Sequence, residues 1–270
     1  MDENLNESVA EPVEATDNYF VFFQPKDVVS GDFYWASKLS NANFALVTAD
    51  STGHGVPGAI MSILNISSLE KACEEKKLTE PAEILNYTRT KIIERLKKDG
   101  SEQGGKDGMD CSLICFDFKN KKLKIANANN PVWIVRKIAA TEPAEVASTS
   151  SATNEIIEIK PDLSPETREI IEVKGDKMPV GKHDKDKEPF TQKTIDVIEG
   201  DLVYALTDGF PDQFGGEKGK KFMSKNLKEL LAANAHLPMQ EQKQLLQTTF
   251  KNWIGDLEQI DDVTVIGVRI

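Results

Sequence analysis

The chain has 270 residues, a formal net charge of −11 and a sequence pI near 4.9. Its 39% hydrophobic and 29% charged residues are typical of an ordinary globular protein that can bury a substantial core. The strongly acidic composition argues against a nucleic-acid-binding role, because a polyanion is bound by a basic face.

The N-terminal segment predicts neither a signal peptide nor a membrane anchor. Residues 1–18, MDENLNESVAEPVEATDN, are acidic and lack an apolar core, so we expect a disordered tail or a linker. No later run of apolar residues reaches the length of a transmembrane helix. The three cysteines form no zinc-binding pattern, and we expect them to be reduced and mostly buried. The sequence therefore predicts a cytoplasmic protein with no membrane or nucleic-acid partner.

Three strand patterns open the chain. They lie at residues 19–25, 32–39 and 43–50. The first is rich in aromatic and β-branched residues and is ended by Pro25. The turn sequence SNAN favours a hairpin between the other two.

Two helices are predicted next. Ile60, Ile63 and Leu64 fall at i, i+3 and i+4, which defines one face of a helix that starts near Gly58. A second helix begins at Pro81 and ends near the sequence KKDG.

The rest of the chain again has strands followed by helices. Strand patterns occupy 111–118, 123–128, 132–137, 155–159, 168–173, 190–197, 201–208 and 261–270. Two amphipathic helices precede the last strand, one with Leu227 and Leu231, the other with Leu246 and Phe250. The small polar residues at 139–155 predict a surface loop. Because strict βαβ alternation is absent, an α+β sandwich of mostly antiparallel sheets covered by helices fits better than a doubly wound parallel sheet.

Aspartates stand at the ends of several predicted strands. They are Asp32, Asp50, Asp208, Asp261 and Asp262. Ionised carboxylates that converge within a few ångströms repel one another unless a cation shares the site. Hard divalent ions such as Mg²⁺ and Mn²⁺ prefer oxygen ligands, and a pair of them can activate a water for attack on a phosphoryl group. Taken singly, an aspartate at a strand-to-turn junction is more often a turn former or cap than a metal ligand.

Five motifs follow one another in a fixed order. They are KDVVSGDFYW, ADSTGHGVPGAIMS, ANANNPVWIVR, LTDGFPDQFGG and DDVTVIGVRI. Together they resemble the bacterial metal-dependent serine/threonine phosphatases of the PPM superfamily, most closely the branch of sporulation stage II protein E and the Rsb-type stress phosphatases. The resemblance runs from about residue 19 to the C-terminus, so we expect one phosphatase domain over residues 19–270. It implies a four-layer α-β-β-α sandwich with a metal site at one edge of the two sheets.

The resemblance also implies roles for the aspartates. Asp50 would bridge two Mn²⁺ or Mg²⁺ ions, and Asp32 would hold one of them directly or through water. Asp208 and Asp261 would complete the set of carboxylates. Asp262 is the weaker candidate of the last pair, because neighbouring residues of a strand point to opposite faces.

Three further residues are candidates around these acids. Ser51 would offer its backbone carbonyl to a metal where many relatives have glycine. His54 could protonate a leaving oxygen, or it could brace the glycine-rich turn by hydrogen bonds. Eukaryotic relatives have an arginine upstream of the first acid, but only Lys26 stands there in this chain. Lys26 is either a phosphate contact or a solvated lysine.

The function implied is that of a phosphoprotein phosphatase. It would hydrolyse phosphoserine or phosphothreonine on a regulatory protein, such as an anti-sigma-factor antagonist, by attack of a metal-bridging water. The resemblance leaves open a homodimer and an upstream sensor domain. The alternative is a non-catalytic binding module on the same fold, which would be expected to have lost the metal-binding acids. A serine or histidine hydrolase would need a G-x-S-x-G elbow or its equivalent, and the sequence has none.

Overall fold

The computed structural model of the protein describes residues 18–97, 107–138 and 168–270. Three sequence predictions lie outside these ranges: the N-terminal tail apart from Asn18, the loop at 139–155 and the strand at 155–159. Within the described ranges, no helix is both long enough and apolar enough to span a lipid bilayer.

The described residues form twelve strands and five α-helices. In chain order the strands are β1 (Tyr19–Gln24), β2 (Asp32–Lys38), β3 (Phe44–Ser51), β4 (Met109–Asp117), β5 (Lys122–Ala128), β6 (Val132–Lys137), β7 (Arg168–Val173), β8 (Lys193–Asp196), β9 (Leu202–Leu206), β10 (Phe214–Gly215), β11 (Lys220–Lys221) and β12 (Val263–Arg269). The helices are α1 (Gly55–Glu70), α2 (Pro81–Leu96), α3 (Gly209–Asp212), α4 (Ser224–Ala233) and α5 (Met239–Ile254). A π-helical turn, Lys71–Glu75, continues α1.

Two five-stranded sheets form the centre of the fold. The β1 sheet has the order β1-β12-β9-β6-β7, and the β2 sheet has the order β2-β3-β4-β5-β8. Every strand pairing within the two sheets is antiparallel. Helices α1 and α2 pack on the β2 sheet, and α4 and α5 pack on the β1 sheet. The predicted four-layer α-β-β-α sandwich is confirmed.

Three apolar layers hold the sandwich together. One lies between α1–α2 and the β2 sheet, one between the two sheets, and one between the β1 sheet and α4–α5. Strand β4 contributes to two of these layers, because alternate residues such as Leu113 and Ile114 face opposite sides. A strand buried on both faces needs a mostly apolar run, which accounts for the sequence CSLIC apart from the buried Ser112. All three cysteines are buried and free.

Helix α1 departs from the sequence prediction in two ways. It begins at Gly55, before the predicted start, and the face marked by Ile60 and Ile63 is exposed. The buried face consists of Gly58, Met61, Ser62, Asn65, Ser68 and Leu69. Apolar spacing therefore identified the helix but not its buried side, because polar residues with hydrogen-bond partners occupy that side.

Candidate active site at the acidic edge

The β2 sheet places three aspartates side by side. In the antiparallel register Asp32 lies opposite Asp50, and Asp50 lies opposite Asp110 on the next strand. Residues directly opposite each other in such a ladder share a face and lie within about 5.5 Å at their Cα atoms. The ladder thus fixes a row of carboxylates at one edge of the sheet, with Asp50 in the middle.

The β1 sheet brings two more acids to the same edge. Asp208 follows β9 and Asp261 precedes β12, and these two strands are antiparallel neighbours. The connection after β9 passes very close to the segment before β12, since a Cβ on Gly209 would lie 1.8 Å from the carbonyl oxygen of Asp262. Only glycine permits this approach.

In the absence of a cation, burial and repulsion from neighbouring acids disfavour the ionised form of Asp50. Burial, followed by the charges of Asp32, Asp208 and Asp261, raises the pKa of Asp50 to about 9. Burial also raises the pKa of Asp208 to about 6, with Asp261 as the next cause. These interactions show that acids from the two sheets act on one another.

Asp32 is almost fully buried. Burial raises its pKa to about 7, against the opposing effect of two hydrogen bonds. Its Oδ2 accepts these bonds from the hydroxyls of Thr207 and Thr264, both at 2.7 Å. The two threonines belong to the β1 sheet side of the fold, so Asp32 ties the two sheets together at the acidic edge.

Asp110 is a site residue that the sequence reasoning missed. Burial raises the pKa of its carboxyl, and the amide of Asn129 donates a 2.8 Å hydrogen bond to Oδ1. A signal was present, since Asp110 opens an apolar strand just as Asp32 does. Asn129 lies in the connection between β5 and β6 and has a φ of +58°.

Asp262 supports the site from behind rather than lining it. Its buried carboxylate accepts hydrogen bonds from the backbone N–H groups of Lys26 at 2.7 Å and Gly31 at 2.8 Å. The loop before Asp32 is thereby clamped to the start of β12. This role agrees with the strand alternation that made Asp262 the weaker metal candidate.

Ser51 connects the acidic edge to α1. Its hydroxyl lies 3.0 Å from that of Ser62 and accepts a 3.0 Å hydrogen bond from the amide of Asn65. Ser62 also donates to the carbonyl of Gly31 at 2.6 Å. The polar buried face of α1 therefore holds the backbone on both sides of the acid row.

His54 lies at the start of α1 and contacts an acid outside the row. Its Nδ1 is 3.0 Å from Oδ2 of Asp27, and both side chains are exposed. The flanking Gly53 and Gly55 have φ values of +91° and +61°, a conformation that favours glycine. The contact with Asp27 is of the kind that the bracing role requires, and the role of His54 as a proton donor stays a prediction. Lys26 donates a hydrogen bond from its backbone N–H to the carboxylate of Asp262.

A cleft of about 220 Å³ opens over these residues. It is lined by Asp50, Ser51, Thr52, Gly53, His54, Met109, Asp110, Pro179 and Asp261. No lysine or arginine is among these lining residues. Across residues 18–97, 107–138 and 168–270, no three Asp, Glu, His or Cys side chains are grouped closely enough to hold a metal ion as they stand. The acids are gathered at one edge but are not closed into a cage.

A second cleft of similar volume lies at the opposite end of the sandwich. It is lined mainly by apolar side chains such as Phe116, Phe118 and Ile270. It has no group of acids comparable to the row on the β2 sheet, so the acidic edge is the candidate active site.

The sequence matches the family Stage II sporulation protein E (SpoIIE) over residues 40–152 and 162–270. The chain belongs to the SpoIIE family. No curated protein matches the sequence.

Solved structures agree with this assignment. The SiaA PP2C domain of Pseudomonas aeruginosa matches this SpoIIE-family chain with a TM-score of 0.73 and 25% identity, over 94% of this chain and 86% of the other. The PP2C phosphatase domain of Bacillus subtilis SpoIIE, with a fragment of its regulatory domain, gives a TM-score of 0.65 and 17% identity, over 94% and 63%. RsbX in complex with magnesium gives a TM-score of 0.56 and 13% identity, over 93% of this chain and 94% of the other. The SpoIIE-family chain therefore has a PP2C-type phosphatase domain.

Proposed function

We propose that this domain is a Mg²⁺- or Mn²⁺-dependent phosphoprotein phosphatase that hydrolyses phosphoserine or phosphothreonine on a regulatory protein. The observation that carries the proposal is the gathering of Asp32, Asp50, Asp110, Asp208 and Asp261 at one edge, beside a cleft without a lining lysine or arginine. We assign the phosphatase domain to residues 19–270.

The donor set fits hard divalent ions. All the candidate ligands are oxygens. Because the desolvated carboxylates repel one another, a bound dication would offset the electrostatic free energy that destabilises the metal-free fold. Mg²⁺ keeps several of its waters when bound, so it does not require the carboxylates to close around it. Asp50 stands between Asp32 and Asp110 in the ladder and is the natural ligand for two ions. Ser51 lines the same cleft, where its carbonyl is a further candidate ligand.

When bound, the two ions supply an activated water and polarise the phosphoryl group. The chain positions the reacting groups around them. Asp262 and the two threonines on Asp32 hold the first acid in place. In the imidazolium form of His54, Nδ1–H would donate to the Asp27 carboxylate, and the Nε2 proton would pass to the leaving serine oxygen, which leaves a neutral imidazole. Lys26, next to the Asp262 clamp, is our candidate for a contact to the outer phosphoryl oxygens.

The substrate we propose is a small phosphorylated regulator, such as an anti-sigma-factor antagonist in a partner-switching pathway. The family assignment supports this class. We place the reaction in the cytoplasm, and the three free cysteines fit a reducing compartment. A homodimer or an upstream sensor domain would supply regulation.

The test is hydrolysis of p-nitrophenyl phosphate by the full chain. Activity is expected with Mn²⁺ or Mg²⁺ and loss of activity with EDTA, restored by excess metal. The alternative function is a non-catalytic binding module; the acids that it would be expected to lack are all present, and the one observation in its favour is that they are not closed around an ion in the described residues. Inert protein in excess Mn²⁺, together with no metal binding in a titration calorimeter, would establish that alternative.

A further inference from the structure

Helix α1 exposes a row of apolar side chains. Val56, Ile60 and Ile63 are 64%, 61% and 69% exposed and follow one another at i, i+4 and i+7 on one helix face. Residues 55–69 contain no charged residue, in a chain of which 29% is charged. We call Val56, Ile60 and Ile63 the α1 stripe.

Packing among residues 18–97, 107–138 and 168–270 does not account for the α1 stripe. The helix is attached to the β2 sheet through its other face, which includes Met61, Asn65 and Leu69. A surface helix ordinarily carries charged or polar residues on its outer face. A contiguous apolar face that stays exposed is a mark of an interaction site.

The α1 stripe begins at the mouth of the acidic cleft. Gly53 and His54 line the cleft, and Val56 follows two residues later. From Val56 to Ile63 the row extends about 10 Å at the helical rise of 1.5 Å per residue. The contact between His54 and Asp27 brings the loop that carries Val28, which is fully exposed, to the same end of the helix.

We propose that the α1 stripe is the docking surface for the phosphoprotein substrate, which would present an apolar surface beside its phosphoserine. The inference rests on the proposed phosphatase function. When the phosphoserine of a substrate protein enters the acidic cleft, the part of the substrate next to the phosphoserine lies over the start of α1.

Charge favours this occupant and this place. The chain has a formal net charge of −11, and a phosphoserine adds about −1.5 to −2 to its protein at neutral pH, so the net charge of the chain opposes the approach of the phosphorylated segment. The uncharged face of α1 is a region next to the cleft where close contact meets no such opposition. Apolar contact there supplies affinity that the acid-lined cleft does not.

The experiment compares two synthetic phosphoserine peptides of about twenty residues and equal charge, designed to form helices beside the phosphoserine. One carries three leucines on one helix face, and the other carries glutamines there. The enzyme variant is Ile60→Gln/Ile63→Gln, which keeps helix propensity. The matched control is Ile198→Gln, at an exposed isoleucine outside α1. p-Nitrophenyl phosphate, too small to reach α1, reports the chemistry alone.

For the native chain we expect kcat/KM to be about fivefold higher for the leucine peptide, from burial of apolar area. The double variant should lose this preference and keep its rate on p-nitrophenyl phosphate, whereas Ile198→Gln should keep both. Absence of a preference in the native chain, or its survival in the double variant, would overturn the docking proposal while leaving the phosphatase proposal intact. So would light scattering that shows a native dimer and a monomeric double variant, because a second copy would then cover the stripe. If all three substrates are inert with Mn²⁺, the proposed function fails and the docking proposal fails with it.

Discussion

Helices α1 and α5, on opposite faces of the sandwich, differ in the side chains that they expose. Helix α5 buries Met239, Leu246 and Phe250 against the β1 sheet, and its exposed positions are glutamine, glutamate, threonine, lysine and asparagine. Helix α1 buries Ser62 and Asn65 among its inward residues and exposes the apolar α1 stripe. Helix α5 therefore covers a core, whereas α1 holds the acidic edge with its inner face and leaves its outer face free for contact.

The two sheets also hold their acids differently. The β2 sheet fixes its acids by strand pairing, with Asp50 between two opposite partners. The β1 sheet supplies acids from connections, which need side chains to hold them. The buried Gln213 accepts a hydrogen bond from the N–H of Ile260 at 3.0 Å and donates to the carbonyl of Glu258 at 2.9 Å, just before Asp261. The buried side-chain amide of Gln213 thus fixes the backbone before Asp261, whereas strand pairing fixes the backbone at Asp50.

The largest expected effect tests the acid row of the β2 sheet. Asp50→Asn should lower kcat for p-nitrophenyl phosphate by about 1,000-fold, equal to about 4 kcal/mol, because the central ligand loses its charge. In the metal-free protein Asp50, with a pKa of about 9, must take up a proton on folding at neutral pH, whereas asparagine need not, so the variant should gain about 1 kcal/mol of stability, or roughly 3 °C in Tm. Steady-state kinetics with Mn²⁺ and thermal melts in EDTA measure the two effects.

The control for Asp50 is Asp196→Asn, which changes an exposed acid at the end of β8 in the same sheet. Neither activity nor Tm should change appreciably. If the Asp50→Asn variant kept the native kcat, the acids of the β2 sheet would not be required for catalysis.

The next effect separates the adjoining acids of the β1 sheet. Asp262→Ala should cost about 3 kcal/mol in the free energy of unfolding, because the buried N–H of Gly31 and the partly buried N–H of Lys26 lose their charged acceptor. Asp261→Asn should lower activity by about 100-fold with a stability change within about 1 kcal/mol. Urea unfolding and kinetics on both variants provide the comparison, and equal stability losses would contradict the division of roles.

A smaller effect concerns pH and both sheets together. The pKa values of Asp50, Asp32 and Asp208 in the folded protein, about 9, 7 and 6, lie above the ordinary value of 3.8. The folded protein therefore binds more protons than the unfolded chain between about pH 4 and 9, and stability falls as pH rises through this window. Tm in EDTA should decline across it, with a shallower decline in Asp50→Asn and in the presence of Mn²⁺. A decline of the same slope in native protein, variant and metal-loaded protein would show that these carboxyls do not cause it.

The smallest effect compares buried polar residues on the two helices. Asn65 of α1 donates to Ser51 beside Asp50, and Gln242 of α5 accepts a 2.6 Å hydrogen bond from the hydroxyl of Tyr204, away from the acids. Substitution of either by Ala should cost about 1–2 kcal/mol of stability. Only Asn65→Ala should also lower kcat, by about fivefold, because it loosens the backbone next to Asp50. If both substitutions lowered kcat equally, the hydrogen bond from Asn65 to Ser51 would have no specific effect on catalysis.

Local patterns in the sequence determined the elements and most of the candidate acids. Alternation, aromatic and β-branched runs, the SNAN turn and Pro81 place strands and helices within a few residues of their observed bounds, because these signals depend on neighbours in the chain. Asp32, Asp50, Asp208 and Asp261 are visible as acids at strand ends, and the order of the motifs indicated the family that the match over most of the chain establishes.

Tertiary structure alone decided which acids meet and which faces are buried. The register of β3 with β4 adds Asp110 to the row, and contacts between segments more than 200 residues apart make Asp262 a clamp. The buried side of α1 was also decided there, because Ser62 and Asn65 become acceptable inside only when the end of β3 and the carbonyl of Gly31 provide hydrogen-bond partners. Such partners are brought together by long-range pairing, which no local periodicity records.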